Sequence, residues 1–310
     1  MKKILTLIVS LLFVFGAIAQ SFQKGPYTVT TLATGVYHIE DGNDSNPAGV
    51  HSDATGKTTG QNNCSDMYLI VGKDKALLID LSNFIKWDAT AVESLRSIVY
   101  EKAETRQLVI TVTHNHGDHL GMLPAFADDS KATFWLSKAE FEAVANKFPA
   151  DRTSFVDENA SIDLGGNCIV NTIEMPGHTA HSILFFLKDQ NIVFTGDAIG
   201  SGSGVWLFNY DSFMLYTKSI DKLINYLNDK SNHIDTQKLI IYGGHFWQKG
   251  KVEKLTAQYI FDMKTLIGKM GKGTADVETI SNFIPFLNGN FKYGTATITW
   301  NKEAAAKYAE

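Results

Sequence analysis

The chain contains only two cysteines in 310 residues, Cys64 and Cys168, and they stand far apart. A cysteine-rich zinc site and a disulfide scaffold are both excluded, since each needs several cysteines at short spacing. Whether these two pair with one another stays open, because pairing requires their Cβ atoms to come within about 4 Å. Basic excess is also missing: 28 Lys and Arg stand against 33 Asp and Glu, a formal net charge of -5. With no basic run and no interleaving of aromatic and basic residues, nucleic acid is disfavoured as a partner, because binding it depends on neutralising phosphates. There are no internal repeats, and beyond residue 19 no stretch reaches the roughly 20 apolar residues that a membrane span requires.

The one long hydrophobic run is at the start. Lys2 and Lys3 precede an apolar stretch from Ile4 to Ala19, which ends in Ala17-Ile18-Ala19 ahead of Gln20. A charged region, an apolar region and a small-x-small site in that order predict a secretory signal peptide over residues 1–19. The expected product is periplasmic or secreted, with no stable membrane insertion after cleavage; an uncleaved anchor is the alternative. No Cys follows the run, which argues against a lipoprotein. Residues 20–310 then form one large domain or two intimately packed halves, at 44% hydrophobic and 20% charged an ordinary globular composition.

The densest chemistry lies in Thr113-His114-Asn115-His116-Gly117-Asp118-His119-Leu120-Gly121. It follows the apolar, β-branched run Gln107 to Val112, which predicts a buried strand, and precedes Leu120 to Phe126, which predicts the opening of a helix. In an extended segment residues i and i+2 point to one side, so His114 and His116 can present two imidazoles to one point. Gly117 permits a sharp turn, after which Asp118 and His119 face the same cavity from a second direction.

From this motif onward the chain resembles the metallo-β-lactamase superfamily. Met175-Pro176-Gly177-His178-Thr179 is similar to the family's P-G-H-T segment, Phe194-Thr195-Gly196-Asp197-Ala198 to its strand-end T-G-D, and Tyr242-Gly243-Gly244-His245 to its last G-H. Ala76-Leu77-Leu78-Ile79-Asp80 is similar to its L-L-I-D, whose Asp supports a ligand histidine. The resemblance spans about residues 27 to 250. It implies an α/β fold, a four-layer αββα sandwich of two mixed β-sheets with helices outside. The order of predicted elements, strands followed by helices in two successive halves, agrees.

The resemblance also implies a ligand set. His114, His116 and His178 correspond to a first metal site, Asp118, His119 and His245 to a second, and Asp197 to a carboxylate bridging the two. Imidazole and carboxylate without thiolate suit two zinc ions, with iron or manganese as alternatives. A shared water then has room between them, activated for attack on a small-molecule substrate. Asp118 is expected to orient that water and shuttle its proton, and Asp80 to fix an imidazole tautomer. The expected function is an exported dinuclear zinc hydrolase acting on a small ester, lactone, thioester or amide. The alternatives are a β-lactamase of the His/Asp-ligand subclass and a metal- or substrate-binding protein without turnover. Asp197 and His114 exclude β-lactamases that use a Cys ligand or replace the first His with Asn.

Weaker candidates keep two readings each. His181 is either a further pocket imidazole or a loop histidine. Trp206 and Phe208 either line the pocket or pack in the core, and Gly200 to Gly204, lacking the Lys-Ser/Thr of a P-loop, reads as a flexible wall. The polar stretch Asp41 to Asn63 is a long loop that either shapes access or is a solvated insertion. His38, His51 and His233 receive no role. Helices are predicted over Trp87–Tyr100, Ser137–Asn146, Ser212–Asn228 and Val252–Met270, with Ser137 and Glu140 as a capping box. Near the end, Phe291 to Trp300 reads as a strand and Glu303 to Glu310 as a frayed helix.

Overall fold

The computed structural model describes residues 21–42, 64–200, 204–245, 255–281 and 284–309. The expected signal peptide and nearly all of the expected Asp41–Asn63 loop therefore lie outside the described residues, as do residues 201–203 of the expected glycine-rich wall.

The first half of the chain forms an eight-stranded sheet laid down in sequence order. Its strands are β1 (Ser21–Lys24), β2 (Tyr27–Ala33), β3 (Val36–Asp41), β4 (Asp66–Val71), β5 (Lys75–Ile79), β6 (Gln107–Thr111), β7 (Ala132–Ser137) and β8 (Thr153–Val156). Neighbours are antiparallel up to β5, and from β5 to β8 they are parallel. Parallel pairing needs a crossover, which α1 (Ala91–Ala103) supplies between β5 and β6. Two single-turn helices follow, α2 (Pro124–Ala127) and α3 (Lys138–Phe141).

The second half forms a six-stranded sheet. It contains β9 (Ser161–Asp163), β10 (Ile169–Glu174), β11 (Ile183–Leu187) and β12 (Ile192–Phe194), and after β13 (Val205–Trp206) also β14 (Ile240–Tyr242) and β15 (Leu255–Thr256). Strand β13 belongs to a third sheet, with β16 (Asp276–Thr279), β17 (Gly289–Tyr293) and β18 (Ala296–Trp300). Helices α4 (Tyr210–Asn228), α5 (Ala257–Met270) and α6 (Lys302–Tyr308) complete the chain.

Alternation along the strands sorts side chains into three cores. Leu77 and Ile79 of β5 face the second sheet, meeting Phe185, Leu187, Phe194 and Tyr242, while Ala76 and Leu78 face α1 through Leu95 and Ile98. In β11, Leu184 and Phe186 turn outward to α4 and α5, where Ile220 and Met263 are buried. Strands covered on both faces explain why these runs are apolar without a break. The layers are helix, sheet, sheet, helix, the αββα sandwich expected from the sequence. Among the described residues no helix is long and apolar enough to cross a membrane.

Several local expectations change. The helix expected from Leu120 is a 3-10 turn over Gly117–His119, with α2 starting only at Pro124, a residue that suits a first helical position because it has no N–H to donate. The Val252–Met270 helix begins at Ala257, since Leu255 and Thr256 pair with Ile241 and Ile240 instead. The Ser137–Asn146 helix is a single α-turn followed by a 3-10 segment kinked at Val144. Phe291 to Trp300 is a hairpin that turns at Gly294 with φ 55°. The third sheet and the short strands β1, β8, β9, β13 and β16 carry little periodicity and were not expected. Cys64 and Cys168 are not joined by a disulfide.

Candidate metal centre

All seven predicted ligands converge at the strand ends. Strand β6 leads into His114 and the 3-10 turn that carries Asp118 and His119, the β10–β11 connection supplies His178, Asp197 follows β12, and His245 follows β14. Two mixed sheets packed face to face bring these loops together at one edge, because Thr113 O accepts the Ile183 N–H across the halves at 2.9 Å. Donor atoms of His114, His116 and His178 form one cluster and those of Asp118, His119 and His245 a second.

In the first cluster, His116 Nδ1 lies 3.1 Å from His114 Nε2 and 3.0 Å from His178 Nε2. Tetrahedral ligands about 2.0–2.1 Å from a zinc ion stand roughly 3.3 Å apart, so the spacing suits a shared cation. The other ring nitrogens determine the tautomers. The Thr113 hydroxyl donates to Asp80 Oδ2 and so must accept from His114 Nδ1–H, which leaves His114 Nε2 with its lone pair toward the cluster. His178 Nδ1–H donates to Trp206 O at 3.0 Å with the same result. Burial, together with the neighbouring imidazoles of His119 and His178, pushes His114 well below the ordinary histidine range. His178 is pushed down to about 4, again mainly by burial. Neutral imidazoles with inward lone pairs, as at His114 and His178, are what a divalent cation requires.

The second cluster has the opposite charge. His119 Nδ1–H donates to Asp80 Oδ2 at 3.0 Å and His245 Nδ1–H to Cys64 O at 2.6 Å, so both rings turn Nε2 inward. Burial works against a charge there. The carboxylates of Asp197, Asp80 and Asp118 outweigh it at His119, and those of Asp197 and Asp118 at His245, holding both rings well above the usual range. Asp118 and Asp197 are driven down in turn, burial being overcome by the His119 and His245 rings.

Asp197 stands between the clusters. Its Oδ1 is 3.5 Å from His119 Nε2, and its Oδ2 is 3.3 Å from His245 Nε2, 3.6 Å from His178 Nε2 and 4.0 Å from His114 Nε2. His119 Nε2 and Asp197 Oδ1 are buried without a hydrogen bond, a cost that a bound cation would remove. The residues therefore fit a dinuclear metal site. His114 and His119 are fully enclosed, whereas the side chains of Asp118 and Asp197 are 25% and 16% exposed, so solvent approaches from the carboxylates. Gly244 makes the approach possible, since a Cβ there would lie 2.4 Å from Asp197 Oδ1.

The weaker candidates separate. His181 pairs with Glu174 at 2.7 Å and is 45% exposed, a loop histidine outside both clusters. The Phe208 ring lies 5.9 Å from that of His116 and 5.3 Å from that of His178, so it lines the site, while Trp206 contributes its carbonyl. His38, given no role, is buried against Asp66 at 2.6 Å, and the Asp66 N–H donates to Gly244 O beside His245. Sequence reasoning gave Glu140 a capping role and missed its link to the ligand loops. Ser137 accepts from the Glu140 N–H as a cap should, but the Glu140 carboxylate accepts from the Asn115 N–H at 2.8 Å and the Thr179 hydroxyl at 3.1 Å. A Ser-x-x-Glu spacing looks the same whether or not its Glu is diverted in this way.

A sequence model of the metallo-beta-lactamase superfamily matches residues 64–231, more than half of the chain. A beta-lactamase-like protein 2 homolog of Caenorhabditis elegans is 24% identical over 63% of this chain and 60% of its own length. The human acyl-coenzyme A thioesterase MBLAC2 is 24% identical over 52% of this chain and 68% of its own. A hydroxyacylglutathione hydrolase of Prochlorococcus marinus is 33% identical over 30% of this chain and 37% of its own. Among solved structures, a metallo-beta-lactamase of Erythrobacter litoralis matches 81% of this chain and all of its own at TM-score 0.55 and 18% identity, a likeness of fold.

Proposed function

Because the chain belongs to the metallo-beta-lactamase superfamily, we propose that it is an exported dinuclear zinc hydrolase of a small ester, lactone, thioester or amide. His114, His116 and His178 hold one ion in this reading, Asp118, His119 and His245 the other, and Asp197 is shared. When bound, two divalent ions lower the pKa of water from about 15.7 toward 7 and polarise a carbonyl oxygen. The observation that carries the proposal is Asp197, whose two oxygens face imidazole nitrogens of both clusters within 4.0 Å.

The chain's own residues supply the remainder. Asp118 is partly exposed beside His245 Nε2 at 3.5 Å, where its carboxylate can accept a proton from attacking water and return it to the leaving group. Phe208 offers an apolar face beside His116 and His178 for the acyl portion. The named thioester hydrolases among the relatives support the thioester member of the substrate set. The adjacent Asp118-His119 pair and the signal-like residues 1–19 favour a second reading, a β-lactamase acting outside the cytoplasm.

The test uses mature, zinc-loaded protein against an acyl-coenzyme A, an acylglutathione, a nitrophenyl ester, a lactone and a chromogenic cephalosporin, each with and without chelator. Chelator-sensitive hydrolysis of an ester-type substrate is expected, with a loss of roughly 100-fold or more in Asp118→Asn at unchanged metal content. Full turnover by Asp118→Asn holding both metals would remove its proton role. Cephalosporin hydrolysis alone would favour the second reading, and a protein with two zinc ions that is inert on every substrate would favour binding without turnover. Export predicts that the secreted protein begins at Gln20, which its intact mass checks.

A further inference from the structure

The three-histidine cluster is assembled from two loops that are far apart in sequence. His114 and His116 leave the end of β6, whereas His178 sits between β10 and β11, 62 residues beyond His116. In the second cluster Asp118 and His119 are neighbours in a single turn, and Asp80 holds the His119 ring directly. No comparable bond reaches the His116 ring from behind among the described contacts, since its Nδ1 is directed at the other two donors. The spacing of the first cluster therefore depends on what ties the two loops together.

Glu140 makes that tie. Its Oε1 accepts the N–H of Asn115, the residue between His114 and His116, at 2.8 Å. Its Oε2 accepts the hydroxyl of Thr179, the residue after His178, at 3.1 Å. Thr179 is in turn fixed by Ser182, with the hydroxyls 2.6 Å apart and the Thr179 N–H 3.3 Å from Ser182 Oγ. One carboxylate thus grips both ligand loops of the three-histidine cluster, while its hydrogen bonds reach no residue of the loop that carries His245. The position of Glu140 is set from behind, because Ser137 caps α3 by accepting the Glu140 N–H.

We propose that Glu140 is a positioning residue that sets the separation of His114 and His116 from His178, and hence the affinity and geometry of the three-histidine site alone. The proposal rests on the metal reading given above. A carboxylate is needed because both of its edges must accept. Gln keeps one acceptor and turns an NH2 toward the other donors, and Asp is one methylene too short to span both loops.

The experiment is a competitive zinc titration of the full mature protein resolved into two affinities, with the visible spectrum of the cobalt-substituted form as a second readout. Glu140→Ala is expected to weaken one of the two sites by 10- to 100-fold, the usual effect of losing a residue that orients ligands. The other site should change by less than about 3-fold, and the cobalt bands of the weakened site should shift. Thr179→Val, which removes a single arm, should fall between wild type and Glu140→Ala. Ser137→Ala keeps the Glu140 carboxylate but removes the cap that places it, so it should weaken the same site by less than Glu140→Ala does. If Glu140→Ala does not fold, Glu140→Gln and Thr179→Val carry the same comparison. Unchanged zinc affinity and cobalt spectrum in the Glu140 and Thr179 variants, or equal weakening at both sites, would each overturn the proposal. A wild-type protein that takes up no zinc would overturn the hydrolase reading and this one with it, whereas the other outcomes overturn this one alone.

Discussion

The buried carboxylate of Asp80 holds the imidazole of His119 by its Nδ1–H at 3.0 Å, so that Nε2 faces Asp197 and the second cluster. The same carboxylate accepts the Thr113 N–H at 2.7 Å and the Thr113 hydroxyl at 2.9 Å, and Thr113 in turn orients His114. One side chain at the end of β5 therefore orients a ligand in each cluster.

Replacing it by Asn should test this. Asp80 sits at φ 65°, a left-handed conformation that Asn tolerates better than Ala does, so Asp80→Asn changes the hydrogen bonding with little backbone strain. The amide would turn an NH2 toward one of the present donors. Zinc affinity should fall about 10- to 100-fold at the second cluster, read by competitive titration. Unaltered affinity would show that His119 orients itself.

Metal uptake should release protons unevenly. His119 and His245 are raised above the ordinary range and so hold protons at pH 7 in the metal-free protein, whereas His114, His116 and His178 are lowered and do not. Filling the second cluster should release about two protons and filling the first close to none. Calorimetry in buffers of different ionisation enthalpy measures both. Lowering the pH toward 5 should weaken the second site first, because the displaced protons are held more tightly there. Equal release from the two sites would contradict the charge assignment.

Gly244→Ala should empty the centre without unfolding the chain. The added Cβ would lie 2.4 Å from Asp197 Oδ1 and 2.8 Å from His119 Cε1, so the shared carboxylate must move. A displacement near 1 Å commonly costs about 100-fold in rate. Turnover and zinc stoichiometry should both fall while the circular dichroism spectrum stays that of the wild type.

The end of the chain is structural. Trp300 of β18 is fully buried and stacks on Phe213 of α4, with ring centroids 4.2 Å apart and planes within 3°. Phe213→Ala should destabilise the protein by about 3–5 kcal/mol, seen as a lower midpoint in denaturant, with zinc affinity of the folded protein unchanged. A loss of zinc affinity in the folded variant would mean that this core also shapes the site.

Legibility followed the range of the interactions. The strand-loop motif from His114 to His119 places its ligands by local geometry, period two and then a turn, so one segment suffices to read it. The strands β4, β5, β6 and β11 were legible because their burial produces nearly unbroken apolar runs. The short strands at sheet edges and in the third sheet have too few buried positions to make a pattern; β16 is exposed along its whole length. The Ser137–Glu140 pair shows the limit most clearly. The backbone half of the capping box formed as the local rule demands, while the carboxylate half was taken by Asn115 and Thr179 from two other loops.

By itself the sequence determined the order of strands and helices, which is written in their periodicity, and it carried the motifs whose resemblance to the family implied the ligand set and the sandwich. Tertiary structure alone decided which nitrogen of each imidazole turns inward and which side chains hold the loops at a cation's spacing. Those depend on partners as remote as Cys64 and His245, and no local pattern encodes a contact across 181 residues.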